Sequence, residues 1–135
     1  MQQIEQQHPT IPGEWSLAEI QSAISRELPK SMLSTKKLGG QAIPYIPWHR
    51  VNKILDKYCP GWCWEVKEIK TTNEYLFLIG RLTIPTANGL IYREATGNEK
   101  LNCSSYGDPS SNAESQAFRR AAAKFGLGLY LYEKD

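Results

Sequence analysis

Residues 112–128 are the most informative stretch, because they read as one amphipathic helix with a narrow apolar side and a cationic one. At about 100° per residue, Phe118, Ala121, Ala122 and Phe125 fall on a single stripe, and Arg119, Arg120 and Lys124 lie on the far arc. No carboxylate follows Glu114 along that arc. Such a helix can dock on a sheet and still present its cations. Ser111-x-x-Glu114 offers a capping box at its start and Gly126 a natural stop.

The preceding segments supply the sheet. Trp62, Trp64 and Val66 alternate with Cys63, Glu65 and Lys67, and Ile69 breaks the phase, which marks a bulge. Thr72-Asn73-Glu74 is a turn, Tyr75 to Pro85 a second strand, Asn88-Gly89 a hairpin signal, and Leu90 to about Leu101 a third strand. Upstream, Ser16-Leu17-Ala18-Glu19 is a capping box that opens a helix with Leu17, Ile20, Ile24 and Leu28 at helical spacing, ended by Pro29. Val51, Ile54, Leu55 and Tyr58 form the buried stripe of a further helix that begins near Pro47 and stops at Pro60-Gly61. Between these helices, Ser31 to Tyr45 reads as a loop or short hairpin around Gly39-Gly40. The expected class is α+β: a three-stranded antiparallel β-meander packed against a long C-terminal helix, with preceding helices, a βββα core. Residues 1–12 read as a flexible N-terminal arm and 13–135 as one domain.

Charge is blocked rather than mixed. The formal net charge is only +2, yet Leu28 to Leu55 contains no Asp or Glu while Lys30, Lys36, Lys37, Arg50 and Lys53 all occur. An anionic partner fits this distribution better than a neutral one; a lysine-rich solvated loop is the plainer alternative. The cysteines, Cys59, Cys63 and Cys103, are odd in number, and there is neither a signal peptide nor a membrane-length apolar run. An intracellular, cytoplasmic protein is expected, with no membrane partner. Cys59 and Cys63 with His49 and Cys103 make a poor zinc set, because Pro60-Gly61 reverses the chain between the first pair.

Enzymatic constellations are missing from the sequence. It has no G-x-x-x-x-G-K-[ST] loop, and Gly126-Leu127-Gly128 follows a helix where a dinucleotide loop would precede one, so neither ATP hydrolysis nor any cofactor is expected. His8 lies in the arm, and His49 at a helix start suits capping or packing. Glu65, Glu68, Glu94, Glu99 and Asp108 are too irregularly spaced for a nuclease metal site. Binding chemistry fits better: Arg119, Arg120 and Lys124 on one helix, Arg50, Lys53 and Lys57 on another, and Lys36-Lys37 between them can line a groove for a polynucleotide backbone. Trp48, Trp62, Trp64, Tyr75, Tyr92 and Tyr106 are candidates for stacking on bases, or core aromatics.

Taken together, Gly39-Gly40-Gln41, Tyr45-Ile46-x-x-His49-Arg50-Val51, Gly61-Trp62 and Arg119-Arg120-Ala121 with Phe125-Gly126 resemble the Rad52/DdrA family of single-strand annealing proteins. Glu114 to Tyr132 is especially similar to its bacterial and phage branch. The resemblance implies a non-enzymatic, ATP-independent protein of recombination and DNA repair that binds single-stranded DNA and pairs complementary strands. It implies a ring or helical homo-oligomer, nucleoid-associated, with a recombinase or single-strand binding protein as candidate partner. It also implies DNA-contacting residues: Arg119 and Arg120 match the family's basic helix directly. The family's loop position is Thr35 here, beside Lys36, and a further helix position is Ala123, beside Lys124. The expected DNA-binding set is Lys36, Lys37, Arg50, Lys53, Arg119, Arg120 and Lys124. The alternative is a passive single-stranded DNA or RNA binding module without annealing activity.

Overall fold

The computed structural model describes residues 7–102 and 108–133. Its first helix, α1 (Leu17–Ile24), starts from the expected capping box: the Glu19 amide donates to Ser16 Oγ at 3.1 Å and the Ser16 amide to Glu19 Oε1 at 2.9 Å. Ile20 and Ile24 enter the core. The helix stops a turn before Leu28, earlier than Pro29 would require. The Leu28 amide instead donates to the Tyr130 hydroxyl at 2.9 Å, a tertiary bond that replaces a helical one.

A short hairpin follows, formed by β1 (Ser34–Leu38) and β2 (Gln41–Tyr45), then α2 (Trp48–Tyr58), whose Val51, Leu55 and Tyr58 are buried. The meander is as expected, in the order β3 (Cys63–Thr71), β4 (Tyr75–Thr86), β5 (Gly89–Lys100), all antiparallel. Its register slips between Val66 and Glu68, the bulge that Ile69 announces. Along β4 every second residue from Leu76 to Thr86 is buried, so one face of the sheet is covered.

The cover is α3 (Pro109–Lys124). It begins three residues before the expected box. Pro109 occupies the first turn, where a missing amide costs nothing, and Asp108 Oδ1 accepts from the Ser111 amide at 2.8 Å. Asp108 therefore caps the helix in place of Ser111, and Glu114 is released for another partner: its Oε2 accepts from Trp64 Nε1 at 2.8 Å. The helix closes at Phe125, with Gly126 at φ 115, before Gly128 is reached. Phe118, Ala121, Ala122 and Phe125 are buried as the stripe predicts, and Ala113, Ala117 and Ala123 join them.

Two strand glycines explain how the helix gets so close. A Cβ on Gly97 would stand 2.0 Å from the Ala113 carbonyl oxygen, so the α3 backbone rests directly on β5. A Cβ on Gly80 would stand 2.1 Å from the Trp64 ring, which occupies the space above β4 at that point. The main core gathers Ile20 from α1, Val51 and Leu55 from α2, Leu82 and Ile84 from β4, and Phe125 from the end of α3.

Candidate nucleic-acid interface

The hairpin turn decides which lysine meets α3. Gly39 and Gly40 both have positive φ, 58 and 82, the conformation of a two-residue turn that matches strand twist. The resulting register pairs Lys36 with Ile43 and Ser34 with Tyr45. Lys36, Ile43 and Tyr45 thus share one face, and Lys37, paired with Ala42, lies on the other. The first face borders a cleft of about 260 Å³ whose opposite wall is Gln116, Arg119 and Arg120 of α3.

Cations from two distant segments meet there. The Arg119 guanidinium stands 5.1 Å from the Tyr45 ring centroid and Lys36 Nζ 5.3 Å from it. Partial burial pushes the Lys36 pKa down, the charges of Arg119 and Arg120 push it further, and only Glu99 opposes them. Positive charge outnumbers negative here: three cations face the single carboxylate of Glu99, which forms no ion pair with them among the described residues. Both ion pairs among the described residues, Lys70–Glu68 and Arg81–Glu94, lie elsewhere.

The other expected cations are distributed differently. Arg120 also donates to the Thr96 carbonyl at 3.2 Å and Lys124 to the Glu94 carbonyl at 2.7 Å, so this row leans along β5. Arg50 is tied to the Ser31 carbonyl at 3.0 Å. Lys53 and Lys57 border a separate cleft with Arg26, between α1 and α2. The structure therefore brings Lys36, Arg119 and Arg120 together and leaves Lys37, Arg50, Lys53 and Lys124 outside their cleft. Tyr45 and Gln116 are the members that sequence reasoning missed.

Residues 16–135 match the Rad52/22 family of double-strand break repair proteins. The chain belongs to the Rad52 family. Its similar proteins include two from Arabidopsis thaliana. One is DNA repair RAD52-like protein 1, mitochondrial, 39% identical over 121 residues that cover 88% of this chain and 69% of the relative. The other is DNA repair RAD52-like protein 2, chloroplastic, 36% identical over 122 residues that cover 87% of this chain and 61% of the relative, less than two thirds of its length. Membership supports a role in DNA repair and recombination.

In this Rad52-family chain the aromatic residues separate into two kinds. Trp48, at the start of α2, is 53% exposed, and its ring stands at nearly a right angle to that of His49, centroids 6.1 Å apart. Trp62 and Trp64 are half-buried against Phe118. On the open side of the sheet Tyr92 carries the Arg81 guanidinium 4.0 Å over its ring, and Tyr75 lies beside Phe77. Tyr106 and Cys103 lie outside the described residues. Cys59 is fully buried, which pushes its thiol up to about 12, whereas Cys63 is exposed. Among the described residues no cluster of His, Cys, Asp or Glu could hold a metal ion, and no helix is long and apolar enough to cross a membrane.

Proposed function

We propose that residues 13–135 form a single-strand annealing domain that holds single-stranded DNA by its phosphates in the cleft between the β1–β2 hairpin and α3. It pairs complementary strands without ATP, acting as an oligomer with further copies of itself. The observation that carries this reading is the convergence of Lys36, Arg119 and Arg120 around Tyr45. Three like charges held this close raise one another's free energy, and a phosphate backbone laid between them relieves it. A shallow grip on phosphates leaves base edges free to sample a second strand, which annealing requires.

Three phosphate contacts predict that log affinity falls with log salt at a slope of about −2 per protomer, with little sequence preference. Because the Lys36 ammonium is destabilised in the free protein, bound phosphate raises its pKa again. Affinity should then drop as pH rises into the range where free Lys36 loses its proton. The decisive experiment is a two-strand fluorescence annealing assay without ATP. Wild type should accelerate pairing, and Arg119→Ala with Arg120→Ala should abolish the acceleration and flatten the salt slope to about −0.7. A wild-type protein that binds and slows pairing is a passive coat, and the annealing reading falls.

A further inference from the structure

A second cavity lies at the N-terminal half of α3. It measures about 290 Å³, its walls are Trp48, Trp62, Trp64 and Phe118, and Asn52 and Glu114 supply polar groups. Trp48 and Ser115 border both this cavity and a neighbouring cleft that also contains Lys36, Tyr45 and Arg119, with Glu99 as its one carboxylate among the described residues. The aromatic cavity and the cationic cleft are therefore two ends of one valley along α3. Ser115 and Arg119 are one helical turn apart, and the Arg119 Nε–H donates to the Ser115 carbonyl at 3.2 Å.

The two ends differ in chemistry. The cationic end gathers lysine and arginine, whereas among the described residues the only charged group lining the aromatic end is the Glu114 carboxylate. A phosphate is repelled there, but a flat, neutral ring carrying amino donors is not. The ring walls are already fixed. Trp62 Nε1 donates to Asp56 Oδ1 and Trp64 Nε1 to Glu114 Oε2, both at 2.8 Å, while Phe118 lies 5.7 and 5.1 Å from their ring centroids. With their donors satisfied, the indoles offer faces rather than hydrogen bonds. Trp48 is the wall that core packing does not explain, since more than half of it is exposed. The volume falls near the lower limit of small-molecule sites, roughly 300 Å³, which suits one base rather than two.

We infer that this cavity seats one unstacked nucleobase of the strand whose phosphates lie in the neighbouring cleft, with Trp48 stacking on it and Glu114 and Asn52 facing its amino edge. This rests on the reading of that cleft as the single-strand site. The seated base is withdrawn from pairing while the cavity holds it. Each protomer thereby sets one fixed point on the strand and must release it as the second strand zips past.

The test compares an oligonucleotide with the same oligonucleotide made abasic, for wild type, Trp48→Ala, Trp48→Phe and the Arg119→Ala, Arg120→Ala double variant. Wild type should prefer the intact strand about 10-fold beyond any preference shown by Trp48→Ala, the scale of one base stacked on an aromatic side chain. Trp48→Ala should keep the wild-type salt slope. Trp48→Phe, which retains a ring face, should recover most of the preference, a rescue that a folding defect in the alanine variant would not predict. The double arginine variant should lose slope and keep preference for the intact strand. Equal discrimination by wild type and Trp48→Ala overturns the base site while leaving the phosphate cleft standing. Loss of salt dependence in wild type itself overturns the cleft reading instead.

Discussion

The β1–β2 hairpin and the β3–β5 meander are both antiparallel, each has a turn that uses glycine, and both face α3, yet only one of them is built into the core. Alternate residues of β4 are buried beneath the helix, and Gly97 lets helix backbone touch strand backbone. No residue of β1 or β2 is buried; the hairpin is held at its ends, where Leu33 packs on the core and Ile46 enters it. One helix thus serves two neighbours with opposite sides. The side toward the meander carries stability, because apolar area is removed from water there. The side toward the hairpin carries charge that folding does not neutralise. Stability and binding should therefore be separable by substitution.

The largest effect expected from breaking this contrast is on the meander side. Phe125→Ala empties a fully buried aromatic position and should cost about 3–5 kcal/mol in denaturant unfolding. Gly97→Ala adds a single methyl group, but against a carbonyl that cannot move without the helix, so a loss of about 3 kcal/mol is expected in the same measurement. On the hairpin side, Lys36→Ala should leave stability within about 0.5 kcal/mol and instead lower the magnitude of the salt slope for single-stranded DNA by about 0.7. A Lys36→Ala protein that unfolds early, or a Gly97→Ala protein of unchanged stability, would dissolve the distinction.

The smallest expected effect concerns pH. Hydrogen bonds from the Ser111 amide and the Ser110 and Ser111 hydroxyls hold the Asp108 carboxyl below its ordinary pKa. A carboxyl depressed in the folded state stabilises above its unfolded pKa, and that contribution is lost as pH falls through the carboxylate range. Asp108→Asn keeps a capping oxygen but cannot titrate. Its thermal midpoint should fall less steeply between neutral and acid pH than that of wild type.

Much of this architecture was legible because local chemistry and tertiary structure agree. The Ser16–Glu19 box, the Asn88-Gly89 turn and the phase break at Ile69 each have one strong local solution, and the fold uses it. The start of α3 was misread because two capping signals overlap. Ser111-x-x-Glu114 matches a box, but Asp108-Pro109 offers an acceptor and a preset φ one turn earlier, and Trp64 competes for Glu114. The candidate site was legible in residue type and less so in direction. Adjacent lysines look equivalent in a sequence, yet strand alternation puts Lys36 and Lys37 on opposite faces; reading Gly39-Gly40 as a two-residue turn would have separated them and drawn Tyr45 to Lys36. The α2 cations Lys53 and Lys57 follow a helical row correctly, but the row faces α1, a choice made by core packing at a distance. Gly97 gave no warning, since a strand glycine reads equally well as a bulge.

The missing side chain at Gly97 also has a metric consequence. With main chain seated on main chain, α3 can neither roll nor slide along β5 without collision, so its exposed groups keep constant spacing. One helical turn, about 5.4 Å, separates Ser115, which borders the ring-lined end of the valley, from Arg119 at its guanidinium end. If copies of the chain hold a strand as proposed, each would act as a rigid gauge on it, and slippage during homology search would arise at the joints between copies.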